Sequence, residues 1–297
     1  DDNSLISSIQ TPGTNIASAI YLGGARTCAE VADGTLQCWG GTEIPQNMTQ
    51  VSFGTSHYCG VRNNGKVSCA GDNANGQLGN GSTISSTNPV DVVLETGGIL
   101  NQVAKVSVGD GHSCALRVDG SVYCWGYNEH GSVGLVGDAP QQTTAVPVIL
   151  EDGTPLTGGI AIVSGSEHNC VLKADGAALC WGFNWAGQLG NGLPGVYFEP
   201  VAVDLNVANG FLELALGTDH SCGVGVDGRV YCWGFNATGQ LGLGAGAFEI
   251  VTKPAWNGIE DARAIGASGS HSCAVLADST VQCWGNNESG QLGAGSL

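Results

Sequence analysis

Apolar and β-branched residues recur along this chain in short runs, each broken by a Gly, Asp or Asn turn signal. In one stretch the runs are Val90–Leu94, Val103–Val108, His112–Val118 and Ser121–Gly126, and they predict four short strands. No stripe at helical spacing accompanies them. The pattern predicts an all-β chain.

The runs belong to a repeat. HSCALRVDGSVYCWGYNEHGSVG starts at His112 and returns, little changed, at His168, His220 and His271. Each unit carries two cysteines ten positions apart: Cys28 and Cys38, Cys59 and Cys69, Cys114 and Cys124, Cys170 and Cys180, Cys222 and Cys232, Cys273 and Cys283. The leading cysteines are spaced 31, 55, 56, 52 and 51 residues apart. The 28 residues up to Cys28 and the 24 beyond Cys273 together make 52, one more period. Four-stranded units repeated into a ring form a β-propeller, which leaves few sheet edges exposed. The expectation is a single β-propeller domain over 1–297, with six four-stranded antiparallel blades, or seven if one has been removed. Both chain ends would shut the ring by sharing a unit.

The consensus G-x-x-H-S-C-A-L-x-x-D-G-x-V-Y-C-W-G-x-N-x-x-G-Q-L-G resembles the regulator of chromosome condensation repeat over essentially the whole chain. That resemblance implies a β-propeller, most often of seven blades. Its best-known members are nucleotide-exchange factors that bind chromatin; other members are secreted bacterial protein binders that use one propeller face.

The cysteine spacing has a geometric reading. A three-residue loop Val118-Asp119-Gly120 with a left-handed Gly bulge centres a hairpin on Asp119. Leu116 then faces Val122, Ala115 faces Tyr123 and Cys114 faces Cys124. At a non-hydrogen-bonded pair the Cα atoms lie roughly 4.5 Å apart, within disulfide reach. Six staples inside single blades follow, each worth about 3 kcal/mol or slightly less in the chain-entropy model. The last unit places Ser279 where the others carry Gly. The rival reading, a metal held by His-x-Cys, lacks a recurring fourth ligand. The recurring His57, His112, His168, His220 and His271 are expected to bond backbone at a blade corner. The recurring Trp is expected to pack blades. Unit two has Ala70 in its place.

Composition narrows the function. Nine Lys plus Arg against 26 Asp plus Glu give a net charge of −17, which disfavours nucleic acid and anionic lipid. No apolar run approaches a membrane span, so no membrane insertion is expected. Twelve paired cysteines point to export, to an extracellular or cell-surface site. The start DDNSL reads as a mature or excised form. Sequons occur at Asn47, Asn80, Asn236 and Asn287.

A catalytic constellation should break the repeat, and no phosphate loop, nucleophile elbow or metalloprotease motif does so. No catalytic or metal-ligating residue is assigned, and no cofactor is expected. Calcium is the alternative for the acidic loop tips, although Asp-x-Asp-x-Asp spacing is missing. The Gly-x-x-His and Asn-x-x-Gly loops should open on one face, bearing the off-repeat residues Asp110, Glu129, His130, Glu167, Trp185, Asp219 and Glu288. Trp185 is the candidate anchor. Segments 81–101, 135–159, 191–210 and 243–260, carrying Tyr197, Phe198, Phe248 and Trp256, read as insertions over the opposite rim or at lateral contacts. The leading expectation is an exported, non-enzymatic module binding a protein or glycan through the loop face. A subunit self-associating into an extracellular fibre or surface layer comes second, and an extracellular enzyme third.

Overall fold

The computed structural model describes residues 19–23, 26–30, 36–39, 47–135, 137, 139–204, 210–244 and 247–295. They form six antiparallel sheets and no helix. The first holds β1 (Ala19–Gly23), β2 (Arg26–Glu30) and β3 (Leu36–Trp39). The second runs β4 (Met48–Phe53), β5 (His57–Arg62), β6 (Val67–Gly71) and β7 (Ser86–Asp91). The third runs β8 (Val103–Val108), β9 (His112–Arg117), β10 (Val122–Tyr127) and β11 (Gln141–Pro147). The fourth runs β12 (Gly159–Ser164), β13 (His168–Lys173), β14 (Ala178–Asn184) and β15 (Gly195–Ala202). The fifth runs β16 (Phe211–Leu216), β17 (His220–Gly225), β18 (Val230–Phe235) and β19 (Ile250–Trp256). The sixth holds β20 (Ala262–Ser268), β21 (His271–Leu276) and β22 (Val281–Gly285). The strands at the start of each sheet, β4, β8, β12, β16 and β20, lie side by side in order, and β1 packs on β4.

The central hairpins keep the register set by their loops. Cys114 faces Cys124, Ala115 faces Tyr123 and Leu116 faces Val122. All twelve cysteines are joined in six intra-sheet disulfides, with Cα–Cα distances of 4.0–4.1 Å. Gly120 takes the bulge with φ 81°, and Ser279 takes the same place with φ 69°.

Two expectations on the fourth strand are corrected. It covers Ser86–Asp91 rather than Val90–Leu94, and it closes the second sheet rather than opening the third. Val90 pairs with Cys69, which fixes it there. The segments taken for insertions contain the fourth strands β7, β11, β15 and β19 themselves. They alternate weakly between buried and exposed positions, which hid them.

The core lies between sheets. One cluster joins Val61, Val67 and Leu78 to Val103, Val106 and Trp125 of the following sheet. The last joins Val224, Val230 and Leu241 to Ala262, Ile265 and Ala274. Trp125, Trp181 and Trp233 are fully buried at such interfaces, so each packs blades as its recurrence suggested. Of the segment expected to shut the ring, residues 4–24, only β1 is described, and the rest lies outside the described residues.

Candidate functional site

Four of the five interfaces between the described sheets are tied by one recurring hydrogen-bond set, which corrects the expected role of the histidines. The rings of His57, His112, His168 and His220 bond side chains of the next blade. Nε2 of His57 lies 2.8 Å from Ser113 Oγ, that of His112 2.8 Å from Asn169 Oδ1, and that of His220 2.8 Å from Ser272 Oγ. Ser113 Oγ donates onward to the Gln77 carbonyl at 3.1 Å, and Trp125 Nε1 donates to the same oxygen at 2.8 Å. The serine hydroxyl has spent its proton, so the imidazole must donate from Nε2. Burial holds these rings neutral. It pulls His57 and His168 down to about 3 and His220 to about 4. The repeat histidines are therefore architectural.

The same network explains two departures from the repeat. Unit one has Arg26 where the others carry His, and unit two has Tyr58, not Ser or Asn, at the receiving position. Unit one also lacks Gln-Leu-Gly, and unit two has Ala70 in place of Trp. A donor and its acceptor have been dropped together, twice, across one interface. Tyr58 and Ala70 are both buried there.

The Gly-x-x-His loops join first strands to second. The Asn-x-x-Gly loops join third strands to fourth. Both sets open on one end of the propeller, because successive strands alternate in direction. Asp110, Glu167 and Asp219 occupy the first kind of loop in three consecutive blades. Burial raises the Asp219 carboxyl pKa, and the Glu167 and Asp110 carboxylates raise it further. Asp110 accepts from the Ser166 hydroxyl, and Glu167 from His130 Nδ1 of the preceding blade. The His130 ring lies between Tyr127 and Phe183, at centroid distances of 5.7 and 4.9 Å. Glu129 takes the Tyr127 hydroxyl at 3.0 Å. Burial, that bond and the nearby carboxylates push the Tyr127 phenol up to about 12.

Six of the seven expected face residues thus fall in the third, fourth and fifth blades, and Trp185 stands 62% exposed at its loop tip. Glu288 sits apart in the sixth, its backbone N–H held by Asn286 Oδ1 at 2.9 Å. Sequence reasoning missed two apolar residues and misplaced a third. Asn73, Asn184 and Asn236 donate from Nδ2 to the carbonyls of Ile84, Leu193 and Phe248. This fixes a turn that points all three side chains outward, Phe248 to 82% exposure. Phe248 therefore lies on the Trp185 face, not the opposite rim. The buried Asn heading each loop was the available signal.

A cavity of about 870 Å³ runs along the axis, lined by Ser52, Ser107, Ser164, Thr218, the strand-end glycines and, alone among these carboxylates, Asp110. No cluster of three His, Cys, Asp or Glu suited to a metal occurs among the described residues. Nor do the described residues contain a helix long and apolar enough to cross a membrane.

These features define a repeat β-propeller with a mixed acidic and apolar loop face. The RCC1-like domain model matches residues 41–297, and the chain belongs to that family. It is 30% identical over 253 residues to the ultraviolet-B receptor UVR8 of Arabidopsis thaliana, covering 83% of this chain and 54% of the receptor. It is 29% identical over 249 residues to the E3 ubiquitin-protein ligase HERC2 of Homo sapiens, covering 83% of this chain and 5% of the ligase. The chain therefore spans about half of one relative and a small part of the other. In structure it resembles Prp20p of Saccharomyces cerevisiae, with TM-score 0.77 and 20% identity over 94% of this chain and 74% of that one. It also resembles the CRINKLY WD40 ectodomain of the Arabidopsis thaliana receptor kinase ACR4, with TM-score 0.54 and 22% identity over 93% and 81%.

Proposed function

We propose that this propeller is an exported, non-enzymatic binding module that takes a basic protein partner on its loop face. The observation that carries this reading is Trp185, a large apolar side chain exposed at a loop tip on the same end of the propeller as the Asp110, Glu167 and Asp219 loops. Exposed aromatic anchors flanked by charge are typical of protein docking sites. The net charge of −17 favours a cationic partner. Six disulfides favour an oxidising compartment. An ectodomain of similar fold, that of ACR4, is consistent with export. Prp20p, which has binding properties to Gsp1p and histones, is consistent with a protein ligand. The test is retention of basic proteins from the source organism's extracellular fraction on the immobilised chain. Trp185→Ala and the Asp110→Asn/Glu167→Gln pair should each abolish retention, and salt should weaken it, at unchanged melting temperature. Retention equal to the parent chain's would overturn the reading.

A further inference from the structure

Three consecutive blade junctions treat one place in the repeat differently. Ala145 of β11, Pro200 of β15 and Pro254 of β19 are equivalent, because Val146, Val201 and Ala255 beside them face Cys124, Cys180 and Cys232. The matching positions of the preceding blades are Val93, Ile149 and Asp204, whose amides donate to the carbonyls of Gly79, Gly134 and Gly190. Between the second and third sheets the backbone closes the joint. Ala145 N–H donates to the Val93 carbonyl at 2.8 Å, and Glu95 N–H to the Ala145 carbonyl at 3.3 Å. Between the fourth and fifth sheets a charge pair closes it, Lys253 Nζ on the Asp204 carboxylate. The joint between the third and fourth sheets has neither device. Pro200 carries no N–H to give. Glu199 stands where Lys253 stands, and Ile149 where Asp204 stands. A cavity of about 470 Å³ lies there, lined by Glu151 and by β15 from Val196 to Val201.

We infer that this slot receives a lysine side chain of a partner protein. Glu151 from the third blade and Glu199 from the fourth both line it, and neither is in an ion pair among the described residues. Tyr197 and Phe198 add aromatic rings to the lining, which favours a cation over a neutral group. The apolar stem of a lysine suits walls that include Val196, Pro200 and Val201, while its ammonium reaches the acids. A calcium ion is a poorer fit, because it takes six to eight oxygens and the lining offers two carboxylates. The next junction supplies the precedent. There Lys253, in the place of Glu199, already ties one blade to the blade before it. At the slot the cation has to come from outside. Strand β15 is the edge of its sheet, on the far side from β12, so an extended partner segment can approach it. The slot thus lies on the outer wall of the propeller and is a second surface beside the loop face that carries Trp185.

The experiment titrates the nitrogen-15-labelled chain with the peptide acetyl-Ser-Gly-Lys-Gly-Ser-amide, and with the same peptide carrying norleucine for lysine. The lysine peptide should shift the amide signals of Glu151 and of 196–199 saturably. The norleucine peptide should bind about tenfold more weakly, since it keeps the stem and loses the charge. Ile149→Asp combined with Glu199→Lys rebuilds the charge pair of the next junction, and should abolish the shifts without lowering the melting temperature. Glu199→Gln, a milder change that keeps the shape of the side chain, should weaken the lysine peptide severalfold. Trp185→Ala should leave its binding unchanged, which separates the slot from the loop face. Three results would overturn the inference. One is equal binding of the two peptides, which would make the slot an apolar crevice. Another is a set of shifts confined to the loop face and lost in Trp185→Ala, which would move lysine recognition there. The last is no saturable shift at Glu151 or 196–199.

Discussion

His168 of the fourth blade and Ser221 of the fifth, 53 residues apart, meet at 3.0 Å between Nε2 and Oγ. Ser221 Oγ donates in turn to the Gln188 carbonyl at 2.7 Å. Ser221→Ala leaves a buried imidazole N–H without its acceptor, while the Gln188 carbonyl keeps the Trp233 Nε1–H, at a cost of about 1–3 kcal/mol. Ser221→Asn should cost less, because Asn169 fills the same place opposite His112. Denaturant melts of the two variants should rank them in that order.

The buried histidines set an acid limit. Their folded pKa values lie below the unfolded value of 6.5, so the unfolded chain binds more protons as pH falls. Their contribution is complete above about pH 7 and is lost as pH drops from 6.5 toward 4 and 3. The slope reaches about 1.4 kcal/mol per pH unit for each histidine. Burial raises the Asp219 and Glu213 carboxyls, which act in the opposite sense nearer their own titration. Melting temperatures between pH 7.5 and 4.5 should fall steadily, and less steeply in His168→Asn.

Gly217 leaves room for the next histidine ring. A Cβ there would sit 2.2 Å from His220 Cε1. Gly217→Ala should therefore destabilise by about 1–3 kcal/mol through overpacking. Gly266→Ala is the control, since nothing comes closer than 4.0 Å to its Cβ position. Equal effects in a urea melt would show that the ring moves aside.

Ser279 holds a left-handed backbone with φ 69° that suits glycine. Ser279→Gly should stabilise the sixth hairpin by up to about 1 kcal/mol, after subtraction of the greater chain entropy of Gly in the unfolded state. Calorimetry should register a higher melting temperature.

The central hairpins were legible because loop chemistry fixes their register locally. Asp119-Gly120 and the ten-residue cysteine spacing suffice to place Cys114 against Cys124. The fourth strands were legible only as runs, because the partner of Val90 is set by the preceding hairpin. The histidine partners lie 52 to 57 residues away, near one repeat period. That distance hides them from any local pattern, although Arg26 with Tyr58 already hinted at the pairing. Of the binding face, the off-repeat loop residues were readable. Ile84 and Leu193 were not, because their exposure depends on an asparagine about ten residues upstream.

The Gln carbonyls accept only from the blade that follows, which gives the array a direction. Neighbouring units mate as plug and socket, so no unit can be inverted or exchanged alone without spoiling two junctions. Lengthening, shortening or shuffling such a protein, by recombination or in the laboratory, is tolerated where each plug still meets its own kind of socket. The joint between units one and two survives for that reason, with both halves of the fitting removed at once.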